Sequence, residues 1–308
     1  MLLALLLACP TNEPSKEESN LCGTIVRPAG ATAEASVSVL TVVDGETPCS
    51  GGDTGGSGWW GDEVANPTPE GNFFEAEVPV GTYGVEVIAG DYSGCTAAEV
   101  TGPETCSADI TVELEETVFV DKPNVYLYPP SPTEIQVQIP AWRKITAADP
   151  AYPIEGWRVT AWPDGLLDTE AGERDFLFYE LAFPPQRFQR EAGWCVRGNV
   201  TQATIEDAMA DLGFLSNEIA DFSEAWDASF PRARWMTVYP QLEDLSRLSI
   251  QPEPDHLLRA WFLVTEGCAR VQAPELPAVE RSGYHASEWG VAFLAPLDRP
   301  EVIVDGWR

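Results

Sequence analysis

The stretch Gly71-Asn-Phe-Phe-Glu-Ala-Glu-Val-Pro-Val-Gly-Thr-Tyr83-Gly-Val-Glu-Val87 decides the fold of the first part of the chain. Apolar and polar residues alternate on both sides of Pro79-Val-Gly81, the two-residue period of half-buried strands interrupted by a turn. The glycine makes the turn, the proline ends the edge of one strand, and Tyr83 begins the next with its ring inside. Outward from here the same period recurs in Gly23-Thr-Ile-Val26, Ala35-Ser-Val-Ser-Val-Leu40 and Ala108-Asp-Ile-Thr-Val-Glu-Leu114, with turn formers such as Asp44-Gly45 between them. A small all-β, antiparallel sandwich of about seven strands over residues 21–116 accounts for the pattern.

The phrase G-x-F followed by V-P-x-G-x-Y-x-V resembles the carboxypeptidase regulatory-like, or transthyretin-like, sandwich family. That resemblance implies an Ig/transthyretin-like fold and a structural or display role beside varied partners, with no reaction of its own. A glycine-rich insertion, Ser50-Gly-Gly-Asp-Thr-Gly-Gly-Ser-Gly-Trp-Trp-Gly-Asp62, departs from the family pattern. Trp59 and Trp60 are candidate ligand-binding residues, a platform for a sugar or peptide, with Asp53 and Asp62 as candidate calcium ligands. The alternative is that both tryptophans fold back over the sandwich edge.

Beyond a short join at residues 117–122, the texture changes. Segments such as Glu134-Ile-Gln-Val-Gln-Ile139, Asp175-Phe-Leu-Phe-Tyr-Glu-Leu-Ala-Phe183 and Leu257-Leu-Arg-Ala-Trp-Phe-Leu-Val264 read as strands. Two helices interrupt them. One runs near Ala203 to Leu212 and stops at Gly213; the other starts after Ser216, whose hydroxyl can cap it, and continues to about Phe230. Ile219, Phe222, Trp226 and Phe230 share one face of it, a core stripe. Residues 123–308 are therefore expected as an α+β domain with a mainly antiparallel sheet. Lys122-Pro-Asn-Val-Tyr-Leu-Tyr-Pro129, Trp157-Arg-Val-Thr-Ala-Trp-Pro-Asp-Gly165, Phe176-Leu-Phe-Tyr-Glu180 and Ser287-Glu-Trp-Gly290 together resemble an uncharacterised group of bacterial exported proteins, a resemblance that implies no activity.

At the other end, Met1-Leu-Leu-Ala-Leu-Leu-Leu-Ala-Cys9 resembles a bacterial lipoprotein signal, in which a small residue precedes the cysteine that receives the lipid. It implies lipidation at Cys9, a polar tether over residues 10–20, and a place in the bacterial cell envelope, at the outer membrane or periplasmic face. With Cys9 set aside, six cysteines remain, at 22, 49, 95, 106, 195 and 268, an even number suited to disulfides in an exported chain. Position along the chain suggests Cys195 with Cys268, Cys95 with Cys106, and Cys22 with Cys49.

The 308 residues are 44% apolar and carry a net charge of −31. Residues 1–116 hold 20 Asp and Glu against 2 Lys and Arg. Binding to nucleic acid or to an anionic surface through bulk charge is disfavoured. The membrane is expected as a partner only through the anchor, with an envelope glycan or protein as the candidate ligand.

Glu180 and Glu288 are the candidate catalytic residues, carboxylates beside aromatics in apparent buried sheet. There each must be paired, hydrogen-bonded or protonated. Two such groups about 5–10 Å apart would suit glycoside cleavage; Arg158, Arg197, Arg234 and Arg259 are the partners that would instead tie them down. His256 and His285, the chain's two histidines, have no recognised ligand spacing, so no metal or cofactor is expected. No phosphate-binding or nucleophile-elbow phrase appears. The expectation is a surface protein with a binding or structural role, the alternative a carboxylate-dependent hydrolase of polysaccharide.

Overall fold

Residues 19–29, 31–42, 49, 60–139, 145–226, 230, 233–242, 245 and 248–294 are described by the computed structural model of the chain. Among these residues it is rich in strand, has two α-helices, and pairs its strands mostly antiparallel.

The strands of the first part are β1 (Leu21–Val26), β2 (Ser36–Val42), β3 (Trp60–Ala65), β4 (Phe73–Ala76), β5 (Gly81–Ala89), β6 (Tyr92–Val100), β7 (Ala108–Glu113) and the short β8 (Glu115–Glu116). They form two sheets, ordered β4-β1-β7 and β3-β2-β5-β6-β8. Alternation sends Val37 and Val39 of β2 and Val85 and Val87 of β5 into one core with Leu21, Ile25, Phe74 and Val112 of the other sheet. Tyr83 is buried there, and its hydroxyl donates to the Pro79 carbonyl at 2.7 Å, which closes the turn read from the sequence. The pairing is not wholly antiparallel as expected: β1 and β7 run parallel, from Leu21 beside Ala108 to Val26 beside Glu113.

That parallel pair also corrects two of the expected disulfides. The bonds are Cys22–Cys106, Cys49–Cys95 and Cys195–Cys268. Cys95 sits in β6, but the chain then leaves that sheet, and Cys106 arrives beside the start of β1, where its amide donates to the Ser19 carbonyl at 3.0 Å. Cys22 is therefore its neighbour, and nearness along the chain misled the sequence reading. Three disulfides in one chain mark a protein that matures outside the reducing cytoplasm. No helix among the described residues is long and apolar enough to cross a membrane.

The second part contains β9 (Val118–Tyr128), β10 (Thr133–Gln138), β11 (Ile145–Asp149), β12 (Trp157–Ala161), β13 (Leu167–Thr169), β14 (Gly172–Arg174), β15 (Leu177–Phe183), β16 (Trp194–Arg197), α1 (Thr201–Leu212), α2 (Ser216–Trp226), β17 (Trp235–Gln241), β18 (Ser249–Gln251), β19 (His256–Glu266) and β20 (His285–Phe293). Residues 118–122, expected as a join, are the first part of β9. The single expected sheet is two: a seven-stranded sheet, β11-β15-β9-β20-β19-β17-β16, and a five-stranded one, β14-β13-β12-β10-β18. One face of the larger sheet packs on the smaller through Val125, Leu127, Tyr179, Leu181 and Leu263 against Ile135, Val137, Trp157 and Val159. Its other face packs on the helices through Tyr126, Ala260, Phe262 and Trp289 against Ile205, Met209, Phe222 and Trp226.

Helix α1 ends as its sequence suggests. Gly213 takes φ +102°, and the Phe214 amide reaches back to the Met209 carbonyl at 3.0 Å. Helix α2 is described as far as Trp226, and residues 227–229, over which it is expected to continue, lie outside the described residues. It begins differently from the expectation: Ser216 is its first helical residue, and the Glu218 carboxylate accepts the Leu215 amide at 2.7 Å. The two parts of the chain meet where β6 touches the turn Pro185–Arg187. Glu86 of β5 points away from its own core yet is buried; it attracts the buried Arg187 guanidinium, whose pKa burial lowers to about 10.

Peptide mapping under non-reducing conditions is expected to recover Cys22 with Cys106 and Cys49 with Cys95, and a Cys95–Cys106 peptide would contradict this topology. Because Cys22 and Cys106 lie 84 residues apart, replacing both with alanine should cost about 4–5 kcal/mol in denaturant unfolding.

Candidate functional site

Of the four phrases singled out in the second part of the chain, three lie on the seven-stranded sheet, in β9, β15 and β20, and the fourth begins in β12 of the five-stranded one. Pro123 has no amide hydrogen to give a ladder, so β9 bulges around it. The register of β9 shifts opposite Phe178 and Leu181 on one side and opposite Trp289 and Val291 on the other. Lys122 holds φ +57°, a left-handed conformation uncommon for a residue with a side chain. Its ammonium donates to the Ala225 carbonyl at 2.6 Å and lies 4.9 Å from the Trp226 ring. Gly290 faces this bulge: a Cβ there would stand 3.1 Å from Val120 and 3.2 Å from Pro123.

Glu180 and Glu288 both belong to this region, but they do not meet. Tyr179 and Leu181 lie in the core between the two sheets, so Glu180 between them projects to the opposite, helix-facing side. There it attracts Lys122, whose pKa is lowered by burial and supported by Glu180 and Asp121. Glu288 projects to the inter-sheet side, with 0% exposure. Arg259 lies directly beside it on the parallel strand β19, and the guanidinium bonds its Oε2. The Tyr179 hydroxyl donates to Oε1. Of the four arginines weighed for this role, Arg259 takes it.

Sequence reasoning missed a second fully buried carboxylate, Glu218, because it looks like any exposed residue in the first turn of a helix. It accepts from Arg281 at 2.8 and 3.2 Å, from Ser287 Oγ and from the Leu215 amide. The pair joins α2 to the loop leading into β20. Next to it, Tyr128 at the end of β9 receives a bond from Asn217 at 3.1 Å, and burial, then Glu218, raise its pKa. Asp221, one turn further along α2, accepts the Tyr126 hydroxyl at 3.0 Å; burial raises its carboxyl pKa and that bond lowers it.

The two histidines, 29 residues apart in sequence, are cross-strand partners: His256 of β19 lies directly beside His285 of β20. His285 in turn stacks on Tyr128, with ring centres 5.0 Å apart. Its pKa is lowered by burial and by Arg281. Among the described residues no group of three or more His, Cys, Asp or Glu is placed to hold a metal.

Cys9, Asp53 and Trp59 lie outside the described residues, while Trp60 and Asp62 fall in β3. A cavity of about 230 Å³ opens where β19 extends beyond the end of β17, lined by Leu212, Leu242, Leu257, Leu258, Arg259, Pro277 and Val279. Among the described residues its lining contains no carboxylate, and the charged group there is the arginine bound to Glu288. The arrangement of Glu180 and Glu288 on opposite faces of one sheet is not that of a glycoside-cleaving pair, which must flank one bond. Compared with protein families, curated proteins and solved structures, the chain matches none.

The fourth phrase closes the site. In Trp162-Pro-Asp-Gly165 the Gly165 amide donates to the Trp162 carbonyl at 2.9 Å, with Gly165 at φ +93°. A Cβ on Gly165 would meet the Tyr128 ring at 2.7 Å, whereas one on Gly172, at φ +102°, has nothing nearer than 3.9 Å. Gly172→Ala should therefore cost about 1–2 kcal/mol from backbone strain alone. Gly165→Ala should cost measurably more in denaturant unfolding, and equal losses would show that the turn does not rest on Tyr128.

Proposed function

We propose that this chain is an exported, lipid-anchored bacterial envelope protein with a binding or structural role at the cell surface. In this reading an Ig/transthyretin-like sandwich, residues 21–116, spaces or presents the α+β unit that follows. The observation that carries it is the use made of buried acidic groups. Glu288 ties together three strands of the large sheet, and Glu218 ties α2 to β20, each through an arginine. Such charges hold a shape, and their oxygens are engaged by arginine, tyrosine and serine and not by a bound glycan. The disulfides support export, and the net charge of −31 suits a solvated surface at the envelope. The ligand under this reading is an envelope glycan or protein.

Cys9→Ser is the direct test. In cells, the wild-type chain is expected to incorporate a palmitate analogue and to sediment with membranes, while the variant does neither and appears in the soluble extract. A variant that still sediments and labels like wild type would remove the anchor from the account.

A further inference from the structure

Tyr128, His285 and His256 stand abreast on three neighbouring strands, β9, β20 and β19. Cross-strand partners project from the same face of a sheet, and neighbouring strands lie about 4.8 Å apart, close enough for two imidazoles to share one ion. Both rings are partly exposed at the sheet's end, so an ion can reach them. Each ring also has one nitrogen already engaged. Nδ1 of His285 lies 3.2 Å from the Gly283 carbonyl, a bond it makes as the protonated nitrogen, which leaves the lone pair on Nε2. Nε2 of His256 lies 3.5 Å from Ser282 Oγ, whose own hydrogen goes to Glu280 at 2.7 Å, so the lone pair of His256 is on Nδ1. An imidazole whose second nitrogen is fixed by a carbonyl or hydroxyl is the usual form of a metal-binding histidine.

We propose that His256 and His285 form a two-imidazole site for a late first-row divalent cation, Cu²⁺ above Zn²⁺, with the remaining coordination positions open. The preference follows from the ligands: neutral imidazoles suit these ions, affinity peaks at copper, and calcium and magnesium favour oxygen. With no third side-chain ligand of the usual kinds grouped there among the described residues, the ion would be exchangeable and accessible to a further donor from water or a partner. Asp255, next to His256 in sequence, has one carboxylate oxygen occupied by the Tyr284 amide at 2.8 Å.

With two histidines in the whole chain, the imidazole carbon–hydrogen region of a ¹H–¹³C spectrum holds two sets of signals. The experiment uses the disulfide-bonded full chain without a histidine tag. Substoichiometric Cu²⁺ should broaden both sets together, one equivalent of Zn²⁺ should shift both, and Ca²⁺ should move neither. His256→Asn and His285→Asn should each weaken Cu²⁺ binding at least tenfold while the near-ultraviolet circular dichroism stays that of the folded protein. A response from one imidazole alone, the same response to Ca²⁺, or wild-type Cu²⁺ affinity in either variant would overturn the site and assign the ion to the acidic surface.

Discussion

A charge pair buried between two sheets is the constraint around which the second part of this protein is arranged. Glu288 is fully out of water, and the desolvation of a carboxylate there is tolerable only because Arg259 and Tyr179 occupy its oxygens. Three strands must be in register for this to happen. β19 must run parallel to β20 with Arg259 beside Glu288, and β15 must turn Tyr179 toward the same side. A slip of one residue in any of them would turn its contributing side chain to the other face and leave a charge buried alone. Hydrophobic area between the sheets stabilises many registers about equally; the ion pair singles out one.

The bulge in β9 is the complementary constraint on the helix-facing side. Pro123 interrupts the ladder in a strand paired on both sides, and the neighbours adapt: Lys122 turns to φ +57° and anchors on α2, Gly290 leaves room, and Glu180 supplies the opposite charge. Of the two acids flanked by aromatics that stand out in the sequence, Glu180 thus answers to the shape of one strand and Glu288 to the charge pair between the sheets. On opposite faces of one sheet, the two glutamates do not flank a common bond.

Much of this was legible in the residues. Period-two alternation marks β1, β2, β5 and β7, the turn around Pro79 and Gly81 is as read, and Gly213 ends α1. What was not legible has identifiable reasons. β6 carries small residues, Cys95-Thr-Ala-Ala98, in place of an apolar alternation, and the first part of β9, expected as a join while Val125–Tyr128 reads as a strand, runs into a proline that argues locally against a central strand. Cys195–Cys268 is as expected, whereas the two disulfides of the first part follow from Cys106 lying beside β1, a long-range fact that spacing does not contain. Glu218 and the His256–His285 pair are contacts between elements tens of residues apart, so only a register can bring them into view. The parallel β19–β20 crossover supplies that register.

The claim that Glu288 serves structure through Arg259 is tested most directly by a double-mutant cycle of Arg259→Met and Glu288→Leu, read as unfolding free energy in guanidinium chloride. Each single change is expected to cost about 3–5 kcal/mol because it strands a buried charge. The double variant should lose less than the sum, with a coupling of about 2–3 kcal/mol. Small additive losses with no coupling would contradict the account, because they would mean that the pair does not determine how the sheets are assembled.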